Sequence, residues 1–339
     1  MASTPQPQVS PALFFKTINA YQETEALRAA IQLDVFTAID EGAQDAASIG
    51  ARCHASPRGV RILCDYLTII GFLTKQDDTY RLTPDTAFFL SRKSPANISS
   101  AIGFLHEARL TERYANLAEC VRKGGTALDA DGTMAPDHPI WVEFARSMAP
   151  LMVMPAQAIT QVLNAAEREE WKVLDIAAGH GMFGIMVARA NPNAQIYAVD
   201  WEKVLEVAQQ NAIRAGVSAR HHSIPGSAFD VDFGEGYDVA LITNFLHHFN
   251  PETNEKLLRK VHAALKPGGR VVTLEFVPND DRVSPPGAAA FSLMMLGSTA
   301  EGDAYTFGEL EKMCRNAGFP RSERHQLPGG MQTVIVSYK

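Results

Sequence analysis

Two rhythms of apolar residues divide the chain. Over residues 17–41, Ile18, Tyr21, Ala26, Ala29, Ile31, Leu33, Phe36 and Ile39 recur at helical spacing, with Gly42 placed as a stop. ASIGARCH and SPRGVRILCDYLTIIGFL predict two further helices, the second opened by Ser56 as cap and Pro57 in its first turn. FLTKQDDTYRLTP then alternates about a polar Asp77-Asp78 turn, which predicts a β-hairpin. Three helices and a two-stranded wing outline a winged helix. Residues 101–165 read as helical and rich in apolar and sulfur side chains, WVEFARSMAPLMVMPAQAI most clearly.

From residue 171 strand and helix alternate. WKVLDIAAG, QIYAVD, YDVALITNFL and RVVTLEFVP predict strands. MFGIMVARA, WEKVLEVAQQNAIRAG, NPETNEKLLRKVHAALKPGG and TFGELEKMCRNAGF predict helices, the third capped by Asn250 and stopped by Pro-Gly-Gly. RSERHQLPGGMQTVIVSYK predicts a closing hairpin through Pro328-Gly329-Gly330, with one antiparallel strand at the sheet edge. Such alternation means an α/β fold, a doubly wound and mostly parallel sheet with helices on both faces. The expected parts are 1–100, a winged-helix-like domain; 101–165, a helical bridge; and 166–339, the α/β domain.

Composition narrows the partners. The 339 residues carry a formal net charge of −7, which argues against a general affinity for nucleic acid or anionic membrane. A winged helix invites a DNA reading, yet residues 1–100 hold nine lysines and arginines against ten acids. Only Arg58 and Arg61 lie on the would-be recognition helix, too few cations for counterion release. A protein–protein module is the better expectation. Cys53, Cys64, Cys120 and Cys314 are widely spaced, which suggests neither a zinc site nor a disulfide framework. The polar start MASTPQPQVSP and the lack of an apolar run near ~20 residues lead us to expect a cytoplasmic protein.

Chemistry concentrates after the first strand of the α/β part. Gly179, Gly181 and Gly184 complete G-x-G-x-x-G between strand and helix, letting backbone approach a ligand closely. Asp200 ends the second strand, placed to accept from two ribose hydroxyls. These features fit NAD and S-adenosylmethionine alike. Asp175 separates them: pyrophosphate at a helix N-terminus wants no anion nearby, whereas the ammonium of S-adenosylmethionine does. His247 falls at the C-terminal end of the fourth strand, the edge where doubly wound sheets place ligands. An imidazole there could take a proton from an attacking hydroxyl. For His248 a solvated or core histidine at a strand end is the better reading, on the ground that adjacent strand residues face opposite ways. His221 and His222 read as surface.

These segments together are similar to the caffeate and hydroxyindole O-methyltransferase-like family over nearly the whole chain. AIQLDVFTAIDEG, RILCDYLTIIGFL and YRLTPDTAFFL resemble its winged-helix dimerisation domain; VLDIAAGHG, NFLHHF, LKPGGRVVTLEF and YTFGELEKMCRNAGF follow in family order. The resemblance implies a seven-stranded Rossmann-like domain, S-adenosylmethionine as cofactor, a homodimer, and a small, aromatic acceptor methylated on oxygen. It implies His247 as base and Glu275 as the acid that orients it. It implies Asp175, Gly179, Gly181, Asp200, Trp201, Ser227 and Phe229 at the cofactor, Ser227 standing where the family carries an acid. Phe144 and Met148 reproduce an F-x-x-x-M spacing that flanks the acceptor, with Met294 and Met295 beside them and His106 and Tyr114 as weaker candidates. The family's second base-orienting acid is replaced by Ala304-Tyr305-Thr306, leaving Asp303 or Glu301 as substitutes. Met152, Met154 and Met186 read as core. No metal is expected. C- or N-methylation on the same fold is an alternative, as are an NAD-dependent oxidoreductase and a winged-helix regulator from other classes.

Overall fold

The computed structural model describes residues 9–127, 139–167, 170–327 and 331–339, apart from the side chains of 109 and 110. They fall into two compact units, Met1–Ile102 and Gly103–Lys339.

The first unit contains α1 (Ala12–Ile18), α2 (Tyr21–Gln32), α3 (Val35–Asp40), α4 (Ala46–Arg52), α5 (Pro57–Ile69), the hairpin β1 (Leu73–Gln76) and β2 (Thr79–Leu82), and α6 (Pro84–Leu90). The apolar run expected to be continuous over 17–41 is broken at Asp34, whose φ is +61°. A short polar side chain tolerates this region, and here the Asp34 carboxylate is held by Arg52 and Arg92. Asp45 and Ser48 form a capping box on α4, and Ser56 caps α5 from Gly59 N–H. One core, centred on Phe36, Ile49, Cys64, Leu67 and Tyr80, holds these elements together.

Helices α7 (Ala101–Leu105), α8 (Ala108–Ala115), α9 (Leu117–Lys123), α10 (Ile140–Met148) and α11 (Val153–Val162) lead into the α/β part. There follow β3 (Trp171–Ile176), α12 (Met182–Ala190), β4 (Ala194–Asp200), α13 (Glu202–Arg214), β5 (His221–Pro225), β6 (Tyr237–Thr243), α14 (Pro251–Ala264), β7 (Leu265–Glu275), α15 (Pro286–Ala289), α16 (Phe291–Ser298), α17 (Phe307–Asn316), β8 (Arg321–Gln326) and β9 (Thr333–Tyr338). They form one seven-stranded sheet in the order β5-β4-β3-β6-β7-β9-β8, a Rossmann-like sheet.

Three local expectations change. Strand β5 was not legible, because HHSIP is short and mostly polar; it pairs in parallel with β4. The strand of opposite direction is not at the edge: β9 sits between β7 and β8, antiparallel to both. Its TVIVSY is the more apolar half of the hairpin and takes the buried position, leaving RSERHQ outside. Pro-Gly-Gly does not merely stop α14. Residues 266–269 lie within β7, where the register with β6 shifts between Tyr237 and Val239. The expected turn Pro328-Gly329-Gly330 lies outside the described residues.

Candidate active site

The loop between β3 and α12 is shaped by what a side chain would hit. Gly181 has φ +74°, and a Cβ there would lie 3.0 Å from the Ala208 Cβ. At Gly184 a Cβ would meet Ile196 Cγ2 at 2.5 Å and Asp175 Oδ2 at 2.8 Å. Glycine therefore lets α12 press onto the sheet. Ala177 stands in the same left-handed region, at φ +52°.

Two carboxylates brace this loop, and neither has a cationic partner among the described residues. Asp175 is fully buried beneath it; Oδ2 accepts from Gly184 N–H at 3.0 Å, and Oδ1 has no partner. Burial pushes its pKa up to about 7. Asp200 accepts from Gly179 N–H through Oδ2 at 2.8 Å and from Trp201 N–H through Oδ1 at 2.7 Å. Its pKa is raised to about 6, again by burial. Each Asp200 oxygen keeps a lone pair after these bonds. His180 within the loop is buried and held neutral, with its pKa down at about 4, and its Nδ1 accepts from Met182 N–H.

The second cluster lies beyond β6. Asn244, at φ +54°, turns the chain into a 3₁₀ turn, Leu246–His248. Asn254 Nδ2 holds that turn through the carbonyls of Leu246 and Phe249. Glu275, at the end of β7, faces it: Oε1 accepts from the N–H groups of Phe245 at 3.0 Å and Leu246 at 2.8 Å. Oε2 lies 2.5 Å from His247 Nδ1, and both residues are buried. With Nδ1–H donated to the carboxylate, Nε2 is the lone-pair nitrogen. The His247 ring is flanked by Phe291 at 4.8 Å, and Phe291 stacks on Phe276 at 3.8 Å and 13°. A buried imidazole fixed by a carboxylate, beside a stacked aromatic pair at the C-terminal edge of the sheet, is equipped to deprotonate a hydroxyl compound.

Residues 132–320 match the model of the O-methyltransferase domain, and residues 15–92 match that of the O-methyltransferase dimerisation domain. The chain belongs to the O-methyltransferase family. It is thus an S-adenosylmethionine-dependent methyltransferase. A candidate O-methyltransferase of known structure from Nostoc punctiforme is 54% identical, with a TM-score of 0.94, covering 98% of this chain and 100% of that one. The 3-hydroxy-5-methyl-1-naphthoate 3-O-methyltransferase of Streptomyces sahachiroi is 26% identical over 98% of this chain and 97% of its own. Human N-acetylserotonin methyltransferase, solved in complex with S-adenosylmethionine, is 21% identical with a TM-score of 0.84, covering 100% and 99%.

Set on this O-methyltransferase, the sequence expectations sort as follows. Asp175, Gly179, Gly181 and Asp200 come together at one loop, and His247 meets Glu275. Trp201 packs on α10 and α13, against the cluster of Ala145, Val204 and Val207. Ser227 Oγ is taken by Phe229 N–H, so its hydroxyl closes its own turn. Phe229 joins Phe249 at 5.0 Å and Phe245 at 6.3 Å. Phe144 lies over the glycine loop, 3.4 Å from where a Gly179 Cβ would be and stacked on His180. It is therefore seated at the cofactor loop, whereas the spacing had placed it beside the acceptor. Met148 is buried on the same helix; Met294 is half-buried and Met295 buried on α16, the helix that carries Phe291.

Other expectations are corrected. Asp303 pairs with Arg282 and Glu301 accepts from Asn250, so neither replaces the second acid at His247. His221 is buried with both ring nitrogens unpartnered, its pKa lowered to about 4 by burial; only His222 is exposed. His248 does pack, against Trp141 and Phe249, but for a different reason from strand alternation, since both histidines lie on a 3₁₀ turn with ring centroids 4.3 Å apart. Met154 is 61% exposed and not core, unlike Met152 and Met186. His106 is half-buried and Tyr114 exposed beneath Arg113. Phe276 and Phe291 were missed. Phe291 carried a signal, standing three and four residues before Met294 and Met295. No helix among the described residues is long and apolar enough to cross a membrane.

Proposed function

We propose that this chain methylates a hydroxyl of a small aromatic molecule, with S-adenosylmethionine as donor and His247 as general base, and that it works as a homodimer. The observation that carries the reading is the buried Glu275–His247 pair beside the Phe276–Phe291 stack. The named substrates of its relatives, a hydroxynaphthoate and N-acetylserotonin, are aromatic hydroxyl compounds or close kin of them.

The residues at the glycine loop suit the cofactor. Asp200 retains one lone pair on each oxygen for the two ribose hydroxyls, and the unpartnered Oδ1 of Asp175 is a buried acceptor for the ammonium. Gly179 and Gly181 present bare backbone on either side of His180, while Trp201, Ser227 and Phe229 would line the nucleoside side. When bound, the cofactor supplies a methyl group on a sulfonium, an activated leaving group. The protein's own task is the acceptor. A phenol with a pKa near ~10 is a poor nucleophile until its proton is taken, and an imidazole near ~6.5 can take it during attack. His247 Nε2 receives that proton, and Glu275 steadies the imidazolium through Nδ1. Phe276 and Phe291, with Met294 and Met295, would hold the acceptor's ring, and Phe144 and Met148 close the loop side.

Dimer formation is supported by the dimerisation-domain match and by α1, where Leu13, Phe14, Phe15 and Ile18 are each more than half exposed. The test is transfer of label from S-adenosylmethionine to a panel of phenols by wild type and His247→Gln. We expect His247→Gln to lose activity by about a hundred- to ten-thousandfold while S-adenosylhomocysteine still binds. Undiminished turnover in the variant would remove His247 as base.

A further inference from the structure

Arg113, on α8, is a charge buried without a countercharge. It is 6% exposed, and no carboxylate among the described residues lies within ion-pair distance of it. Nη1 donates to Ser298 Oγ, the guanidinium lies 5.1 Å from the Tyr114 ring centre, and Nε is buried with no partner. A guanidinium presents five N–H donors in a planar fork, so one hydroxyl and one ring face leave much of it unmatched. Removing a cation from water without an anion is costly, and burial pushes the Arg113 pKa below its ordinary value.

The surroundings accommodate this residue specifically. Its stem lies on Gly297, where a Cβ would be 3.4 Å from Arg113 Cγ and Cδ. Ser298 donates its own hydroxyl proton to the Met294 carbonyl at 2.6 Å, which turns its lone pairs toward Arg113. Ser298 stands seven residues beyond Phe291 on α16, on the same helical face with Met294 and Met295 between. At 1.5 Å per residue that is about 10 Å from the ring that flanks His247.

We infer that Arg113, steadied by Ser298, forms an anion subsite of the acceptor pocket, which takes a carboxylate on an aromatic acceptor whose hydroxyl lies at His247. The inference rests on the acceptor site proposed above. A carboxylate matches better than a phosphate: one cation balances a single negative charge, and the planar fork fits a planar anion at two points.

The experiment uses full-length protein saturated with S-adenosylhomocysteine. Hydroxynaphthoates, hydroxycinnamates and their primary carboxamides are titrated by calorimetry into wild type, Arg113→Met and Ser298→Ala, with methyl transfer measured on the same compounds. Wild type is expected to bind its best carboxylate about ten- to a hundredfold more tightly than the matching carboxamide. In Arg113→Met the two affinities converge, and in Ser298→Ala the ratio falls severalfold. A melting temperature for Arg113→Met at or above wild type separates a ligand-binding role from a structural one. No carboxylate preference in wild type, or one that survives Arg113→Met, overturns the subsite; should that variant not fold, an unchanged ratio in Ser298→Ala does so. Arg113-dependent binding without methyl transfer would sink the transfer reading and leave the subsite standing. Methylation of neutral phenols with no dependence on Arg113 would do the reverse.

Discussion

The two ends of the site use carboxylates in opposite ways. At the glycine loop, Asp175 and Asp200 accept only backbone N–H groups, and burial holds both with raised pKa values. At the other end, Glu275 already has its side-chain partner, and its remaining oxygen fixes the turn on which that partner sits. The contrast separates waiting for a ligand from readiness to act. A buried acid without a cation is a deficit that a cationic, hydroxyl-bearing ligand can cancel. A buried acid already paired with an imidazole fixes a tautomer before anything binds.

That contrast can be broken most sharply at Glu275. Glu275→Gln keeps a carbonyl oxygen for the Phe245 and Leu246 amides but turns an N–H toward His247 Nδ1. The ring must then carry its proton on Nε2, the wrong nitrogen for a base. We expect a fall in kcat of about a thousand- to ten-thousandfold, with S-adenosylhomocysteine affinity unchanged by calorimetry. An equal loss in binding would mean that the two ends are not separable.

The glycine-loop end should respond to pH instead. Because Asp175 and Asp200 have folded-state pKa values of about 7 and about 6 against an ordinary 3.8, the folded protein binds more protons than the unfolded one in the window between. Their contribution to stability is thus present at low pH and lost as pH rises through those values. Ligand binding wants the ionised forms, so S-adenosylhomocysteine affinity should drop by about tenfold per pH unit between about 7 and 6, and by up to about a hundredfold per unit below about 6, where both carboxylates carry protons. The thermal shift it produces should be larger at pH 8 than at pH 5. A pH-independent affinity across that range would show that neither carboxylate meets the ligand.

The smallest effect concerns the backbone. Ala177→Gly relieves a left-handed residue in the loop and should stabilise the protein by about 1 kcal/mol, read as a rise of about 2–4 °C in melting temperature. A fall would mean that the greater freedom of glycine in the unfolded chain outweighs the relief.

What sequence alone disclosed follows the same divide. Asp200, the glycines and His247 were legible because strand ends and glycine turns fix the positions of such residues locally, whereas Glu275 as the partner of His247 came only with the family resemblance. The break at Asp34 was hidden, since helical spacing of apolar residues says nothing of one left-handed residue among them. Strand β5 was hidden because its HHSIP lacks the apolar alternation by which strands are recognised. The seat of Phe144 on the glycine loop was hidden: F-x-x-x-M spacing sets which face of α10 it shares with Met148, but only tertiary packing decides that the face lies on Gly179. Phe291 and Arg113 stand on α16 and α8, which pack together although far apart in sequence, and no local rule joins them.

The placement of β9 has a consequence in time. Glu275 lies on β7, whose second neighbour is β9, with Glu275 opposite Thr333. During synthesis β7 emerges with only β6 available beside it, and remains an open edge until some sixty residues more have left the ribosome. The strand that carries Glu275 therefore gains its full support among the last steps of folding. A chain broken off before Thr333 would present β7 as a bare apolar edge, an invitation to pair with another nascent copy.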